Sequence, residues 1–153
     1  MKPFKRILVP IDYSPHSSEA IQVAMDLARR YEASIQLVHV YQPVDFGLPE
    51  GFMSYAPIQE TELISALTKK LEDEQKTAQN IAPSILVTSK LLHGVVASQI
   101  VKLAREDRCD LIVMGTHGRT GISHVVMGSV AEKVLRTSPC PVLSVRTEQS
   151  SED

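Results

Sequence analysis

Short apolar runs alternate along the chain with longer stretches in which apolar residues recur every three or four positions. Residues 7–11 (Ile-Leu-Val-Pro-Ile) are apolar throughout, the pattern of a strand buried on both faces of a parallel sheet. Ser14-Pro15 then reads as a helix N-cap followed by proline at the first helical position. Ile21, Ala24, Leu27, Ala28 and Tyr31 repeat at helical spacing, predicting a helix over 15–31. Residues 35–41 are a second β-rich run. Residues 60–80 are rich in Glu, Lys, Gln and Leu and predict a solvated helix. Residues 84–92 predict a third strand and 94–106 a helix with Val96, Ile100, Leu103 and Ala104 on one face. A fourth strand is expected over 110–114, then a helix over 125–136 with Val130, Ala131, Val134 and Leu135 facing inward. A fifth strand follows over 141–145.

Between these elements, residues 42–57 carry Pro43, Gly47, Pro49, Gly51 and Pro57. That is longer than most connections in compact domains, and such loops are often lids or binding segments. Its aromatic residues Phe46, Phe52 and Tyr55 read equally well as ligand cover or as surface. No internal repeat is present. Strands alternating with helices imply one parallel sheet covered on both faces. In such sheets ligands bind beyond the carboxyl ends of the strands, at a switch point in strand order. The places to look are therefore after Ile11, after Val40 and after Met114.

Composition narrows the class without choosing a function. The chain has 153 residues, 43% hydrophobic and 22% charged, with a formal net charge of -2. That fits one domain, 1–146, with a polar tail, 147–153, expected to be disordered. Basic residues occur in scattered pairs, without the stripe that nucleic acid binding requires. Two cysteines, Cys109 and Cys140, are too few for a disulfide framework. The N-terminal apolar run is too short for a signal segment, and no stretch approaches a bilayer-spanning length. A cytoplasmic location with reduced thiols is expected.

The candidate chemistry lies in residues 114–129, Met-Gly-Thr-His-Gly-Arg-Thr-Gly-Ile-Ser-His-Val-Val-Met-Gly-Ser. This stretch leaves a predicted strand and enters a predicted helix. Glycines let backbone N–H groups approach a ligand closely, and a helix N-terminus offers unpaired donors with partial positive charge. Thr116, Thr120 and Ser129 add hydroxyls, while His117 and Arg119 add further donors. A simple turn and helix cap would use similar residues; the position at a strand's carboxyl end favours a phosphate cradle. The segment is not a Walker A loop, because Ser129 rather than lysine follows Gly128. It is not the dinucleotide fingerprint either, whose glycines follow the first strand.

The spacing Gly115-x2-Gly118-x9-Gly128-Ser129 resembles the G-x2-G-x9-G-[S/T] signature of ATP-binding members of the universal stress protein family. The likeness extends to 7–12 with Ser14, to Leu37-Val38-His39-Val40, to 110–118, to Gly128-Ser129-Val130-Ala131 and to Pro139-Cys140-Pro141-Val142, covering about residues 3–146. It implies a three-layer α/β sandwich with a five-stranded parallel sheet of order 3-2-1-4-5, Rossmann-like and of the adenine nucleotide alpha hydrolase-like kind. It also implies an ATP-binding regulatory module of the stress response, with a slow ATPase or nucleotide-cleaving enzyme of the same fold as the alternative and a nucleotide-independent subunit as a third option. Pro10, Ile11 and Asp12 would contact the adenosine, and Val40 would line the adenine pocket. Met114 and Gly115 would lie against the nucleotide, with Thr116 and His117 beside them. Gly118, Gly128 and Ser129 would surround the phosphates, with Val130 beside them and Arg119 in support. Mg²⁺ is compatible with such phosphates. A homodimer through the last strand (Val142, Leu143, Val145) is implied, and the strand's apolar edge supports it independently.

Other arrangements carry less. The five histidines, His16, His39, His93, His117 and His124, show no metal-ligand spacing. His39 reads as a packed or hydrogen-bonded strand residue. Asp12, Ser14 and His117 lack the G-x-S-x-G context of a nucleophilic set. Cys109 is expected to pack at a strand start and Cys140 to sit in a turn between prolines. Val95-Val96-Ala97 departs from the family's usual polar start of this helix, which bears on capping.

Overall fold

A computed structural model of the chain describes residues 3–42, 56–117 and 127–147. The elements run β1 (Arg6–Pro10), α1 (Pro15–Tyr31), β2 (Ser34–Tyr41), α2 (Ala56–Ile81), β3 (Val87–His93), α3 (Val96–Glu106), β4 (Leu111–Gly115), α4 (Ser129–Thr137) and β5 (Val142–Val145). All strand pairs are parallel, in the order β3-β2-β1-β4-β5. The strand order that the family resemblance implies is thus found.

Alternation of side chains across the sheet divides the core in two. Ile7, Val9, Leu37 and Val113 point to the face covered by α1 and α2. Leu8, Val38, Ile112 and Met114 point to the face covered by α3 and α4. Each such side chain contributes roughly 1.5–3 kcal/mol on burial, which holds the strand ends in register.

Local signals set most boundaries. Ser14 caps α1: its Oγ accepts from Ser17 N–H at 3.2 Å, and Ser14 N–H donates to Asp12 Oδ1 at 3.0 Å. The third strand starts at Val87 rather than residue 84, because Ile85 N–H turns back to Ala82 O at 3.0 Å after Pro83. Gly94, at φ 128°, makes the bend into α3 that a side chain would resist. Val95 occupies the N-cap of α3 with no side-chain cap, as its sequence suggested.

One inward assignment needs correction. Leu135 is 51% exposed: α4 spans only Ser129–Thr137 and buries Ala131 and Val134, which leaves Leu135 turned to solvent. On the edge strand β5, Val145 is buried in the core on the α1 face of the sheet, so its side chain is occupied within the chain. Leu143 stays 39% exposed. The expected loop over 42–57 lies mostly outside the described residues, as do Phe46, Phe52 and Tyr55. Residues 148–153 of the tail lie outside them too, whereas the Thr147 hydroxyl sits 3.0 Å from His16 Nδ1. Among the described residues no helix is long and apolar enough to cross a membrane.

Candidate functional site

The central strand β1 shows how the chain opens a cleft. Its residues face alternate neighbours. On the β2 side Lys5 O accepts from Ser34 N–H (2.9 Å) and Ile11 N–H donates to Val38 O (2.8 Å); on the β4 side Arg6 O accepts from Asp110 N–H (2.9 Å). By this parity Pro10 would be the next donor toward β4, and proline has no N–H. The β1–β4 register ends at Leu8↔Ile112. Beyond Ile11 the β2 ladder stops as well, and Ile11 O accepts from His39 Nδ1 at 2.8 Å. A carbonyl only accepts, so Nδ1 carries the proton.

The cleft is a cavity of about 280 Å³ beyond the carboxyl ends of β1, β2 and β4. Its floor is Pro10, Ile11 and Asp12 from β1 and the turn after it, with Val38, His39 and Val40 from β2. Val96 and Ile100 of α3 form one wall. Met114, Gly115, Thr116 and His117, with Gly128, Ser129, Val130 and Ala131 at the start of α4, form the other. The β2–α3 side brings the apolar Val38, Val40, Val96 and Ile100, and the α4 side brings the polar Thr116, His117 and Ser129.

Three features give this cavity its chemistry. Asp12 keeps one carboxylate oxygen on Ser14 N–H, and its other oxygen makes no hydrogen bond among the described residues. Gly128 is the N-cap of α4 and supplies no side-chain cap, leaving first-turn amides and the positive end of the helix dipole at the cavity. Thr116, 1% exposed, fixes that helix start. Its N–H donates to Val145 O at 3.0 Å, and its carbonyl accepts Gly128 N–H at 2.8 Å. The Thr116 hydroxyl lies 2.9 Å from His117 Nδ1.

Gly115 has a packing reason as well as a cavity position. A Cβ there would stand 2.7 Å from His16 Cβ, so only glycine lets α1 close on the end of β4. The His16 and His117 rings lie 5.6 Å apart beside it.

On the opposite face of the sheet, Tyr13 holds φ 63° at the turn that carries Asp12. Its ring lies 5.0 Å from the His39 ring and 4.1 Å from Lys70 Nζ. Its buried hydroxyl has no hydrogen-bond partner among the described residues. Burial, aided by the nearby Glu74 carboxylate, pushes its pKa up to about 12. Burial likewise pushes the Cys109 thiol up to about 12, and it raises Cys140 against an opposing hydrogen bond from Ser138. Neither thiol lines the cavity. Among the described residues no cluster of three or more His, Cys, Asp or Glu is arranged for a metal.

Of the site residues expected from sequence, Pro10, Ile11, Asp12, Val40, Met114, Gly115, Thr116, His117, Gly128, Ser129 and Val130 all line this cavity. Gly118 and Arg119 lie outside the described residues. Ser17, Val38, His39, Val96, Ile100 and Ala131 also line it and were not anticipated. Val38 was legible by its two-residue spacing from Val40. The α3 residues were not, because helix packing across the sheet decides them.

The sequence matches the Universal stress protein family over residues 3–146. It is 37% identical over 148 residues to the universal stress protein MJ0531 of Methanocaldococcus jannaschii, covering 94% of this chain and 82% of that protein. The fold superimposes on the universal stress protein UspA from Lactobacillus plantarum with a TM-score of 0.81 at 24% identity, covering 95% of this chain and 100% of the other. A universal stress protein in complex with cAMP superimposes with a TM-score of 0.66 at 25% identity, covering 95% and 99%.

Proposed function

The chain belongs to the universal stress protein family, and from that premise we propose that it is an adenine-nucleotide-binding regulatory module whose ligand is ATP. The observation that carries this reading is the open peptide edge of Val40 on one side of the cavity and the start of α4 on the other. Val38 O faces β1. Two residues on, the N–H and C=O of Val40 face the same way, beyond the point where β1 pairing ends. A donor beside an acceptor matches adenine N1 and its exocyclic amine. The apolar side chains of Val38, Val40, Val96 and Ile100 suit the faces of the base. The free Asp12 oxygen suits a ribose hydroxyl, and the first-turn amides of α4 suit phosphate. Gly118 and Arg119 complete the phosphate segment in this reading, and Mg²⁺, which takes most of its ligands from phosphate oxygens and water, would enter with ATP.

The wider reading is a cytoplasmic protein of the stress response, acting as a homodimer through β5. The exposed Leu143 on this edge strand supports the dimer. Calorimetry with ATP, AMP and GTP tests the core of it. Micromolar ATP affinity, worth about 8 kcal/mol, with GTP at least tenfold weaker, is expected. No heat with any adenine nucleotide would end the reading.

A further inference from the structure

We infer that His39 is a positioning residue that holds the adenine-reading edge of Val40 open, an inference that rests on the function proposed for this cavity. In a parallel ladder a residue that donates to position j accepts from position j+2. Ile11 N–H donates to Val38 O at 2.8 Å, so the next rung would be Val40 N–H to Ile11 O. That rung is absent, and the paired register stops at Pro10↔Val38. The Ile11 carbonyl accepts from the side chain of His39 instead, at 2.8 Å. The imidazole therefore satisfies a carbonyl that would otherwise draw in the Val40 amide. With that bond made, β1 turns away into Asp12 while Val40 keeps its donor and acceptor for a ligand.

The ring is held for this task. His39 stands on the α1–α2 face of β2, opposite the face of Val38 and Val40, and its ring packs 5.0 Å from that of Tyr13. Tyr13 itself sits at φ 63°, a conformation costing of order 1–2 kcal/mol in a residue with a side chain. Tyr13 lies between Asp12 and the N-cap Ser14, so the His39 bond and the Tyr13 turn fix one continuous segment. Proline at position 10 stops the ladder on the β4 side, and histidine at position 39 stops it on the β2 side. The cleft thus opens on both flanks of β1 by two separate chemical devices.

The test separates this claim from the function it rests on. In the nucleotide-free protein, the Val40 amide is expected to exchange at least tenfold faster than those of Val38 and Leu37, and imidazole ¹⁵N shifts are expected to report the Nδ1–H tautomer of His39. In His39→Phe, which keeps a ring against Tyr13 but has no donor, the Val40 amide becomes protected and ATP affinity falls at least tenfold. His39→Asn, whose amide nitrogen reaches the place of Nδ1, restores both. A protected Val40 amide in the wild-type protein overturns the proposal even if His39→Phe does not fold. Unchanged exchange or unchanged ATP affinity in a folded His39→Phe also overturns it. If the wild-type protein binds no adenine nucleotide while His39→Phe still closes Val40, the function proposed for the cavity fails and the positioning of the edge stands.

Discussion

At the scale of single residues, the cavity mixes positions with one duty and positions with two. Asp12 has two: its Oδ1 accepts from Ser14 N–H at the turn into α1, and the residue lines the cavity. Asp12→Asn keeps the turn acceptor and removes the charge. It is expected to lower ATP affinity about tenfold, the scale of a charge-assisted hydrogen bond, while thermal stability stays within about 0.5 kcal/mol. Calorimetry and a melting curve on one preparation check both halves. Gly115 has a different double duty, because its missing side chain makes room for His16. Gly115→Ala places a methyl 2.7 Å from His16 Cβ and is expected to cost roughly 1–3 kcal/mol, as overpacking does. A lower urea midpoint with unchanged slope would show this, whereas an unchanged midpoint would mean that α1 gives way freely.

At the scale of elements, capping separates the two helices that flank β2. Helix α1 is closed by Ser14 and its Oγ, a device worth about 1 kcal/mol. Helix α3 begins on Val95, which lies in extended backbone at φ -72° and ψ 118°, is 55% exposed and provides no acceptor. Val95→Ser keeps that backbone and adds the missing oxygen. It should stabilise the protein by about 0.5–1 kcal/mol, read as a raised denaturation midpoint. A neutral or lowered midpoint would mean that the first-turn amides of α3 are already satisfied.

At the scale of the whole molecule, burial of ionisable groups ties the fold to pH. Tyr13 and Cys109 both rise to about 12 in the folded state, from ordinary values of 10 and 9. The native state therefore keeps protons that the unfolded chain releases. That stabilisation is complete below about pH 9 and is lost as pH climbs toward 12. The guanidinium midpoint is expected to fall between pH 9 and 11. Tyr13→Phe and Cys109→Ala should each flatten the decline. The proposed dimer belongs to this scale too. With Val145 committed to the core, Leu143 is the exposed apolar side chain on β5. Leu143→Glu is expected to shift sedimentation from dimer toward monomer without lowering the helical circular dichroism.

Local chemistry fixed the elements. Proline and serine at 14–15, the continuous apolar runs and the helical spacing each act within a few residues, so nine elements and their order were readable from the chain alone. Eleven of the cavity residues were named from sequence too, through the strand-end rule, the glycine-rich segment and the resemblance to the family. Three things required the folded chain. The fate of Leu135 and Val145 depended on which neighbour reached them across the layers. The α3 wall of Val96 and Ile100 depended on where a helix landed on the sheet. The part played by His39 depended on a hydrogen bond to Ile11, twenty-eight positions away. Periodicity records which side of its own element a residue faces. It carries no record of the atom that side will meet, because that is decided by the packing of elements distant in sequence.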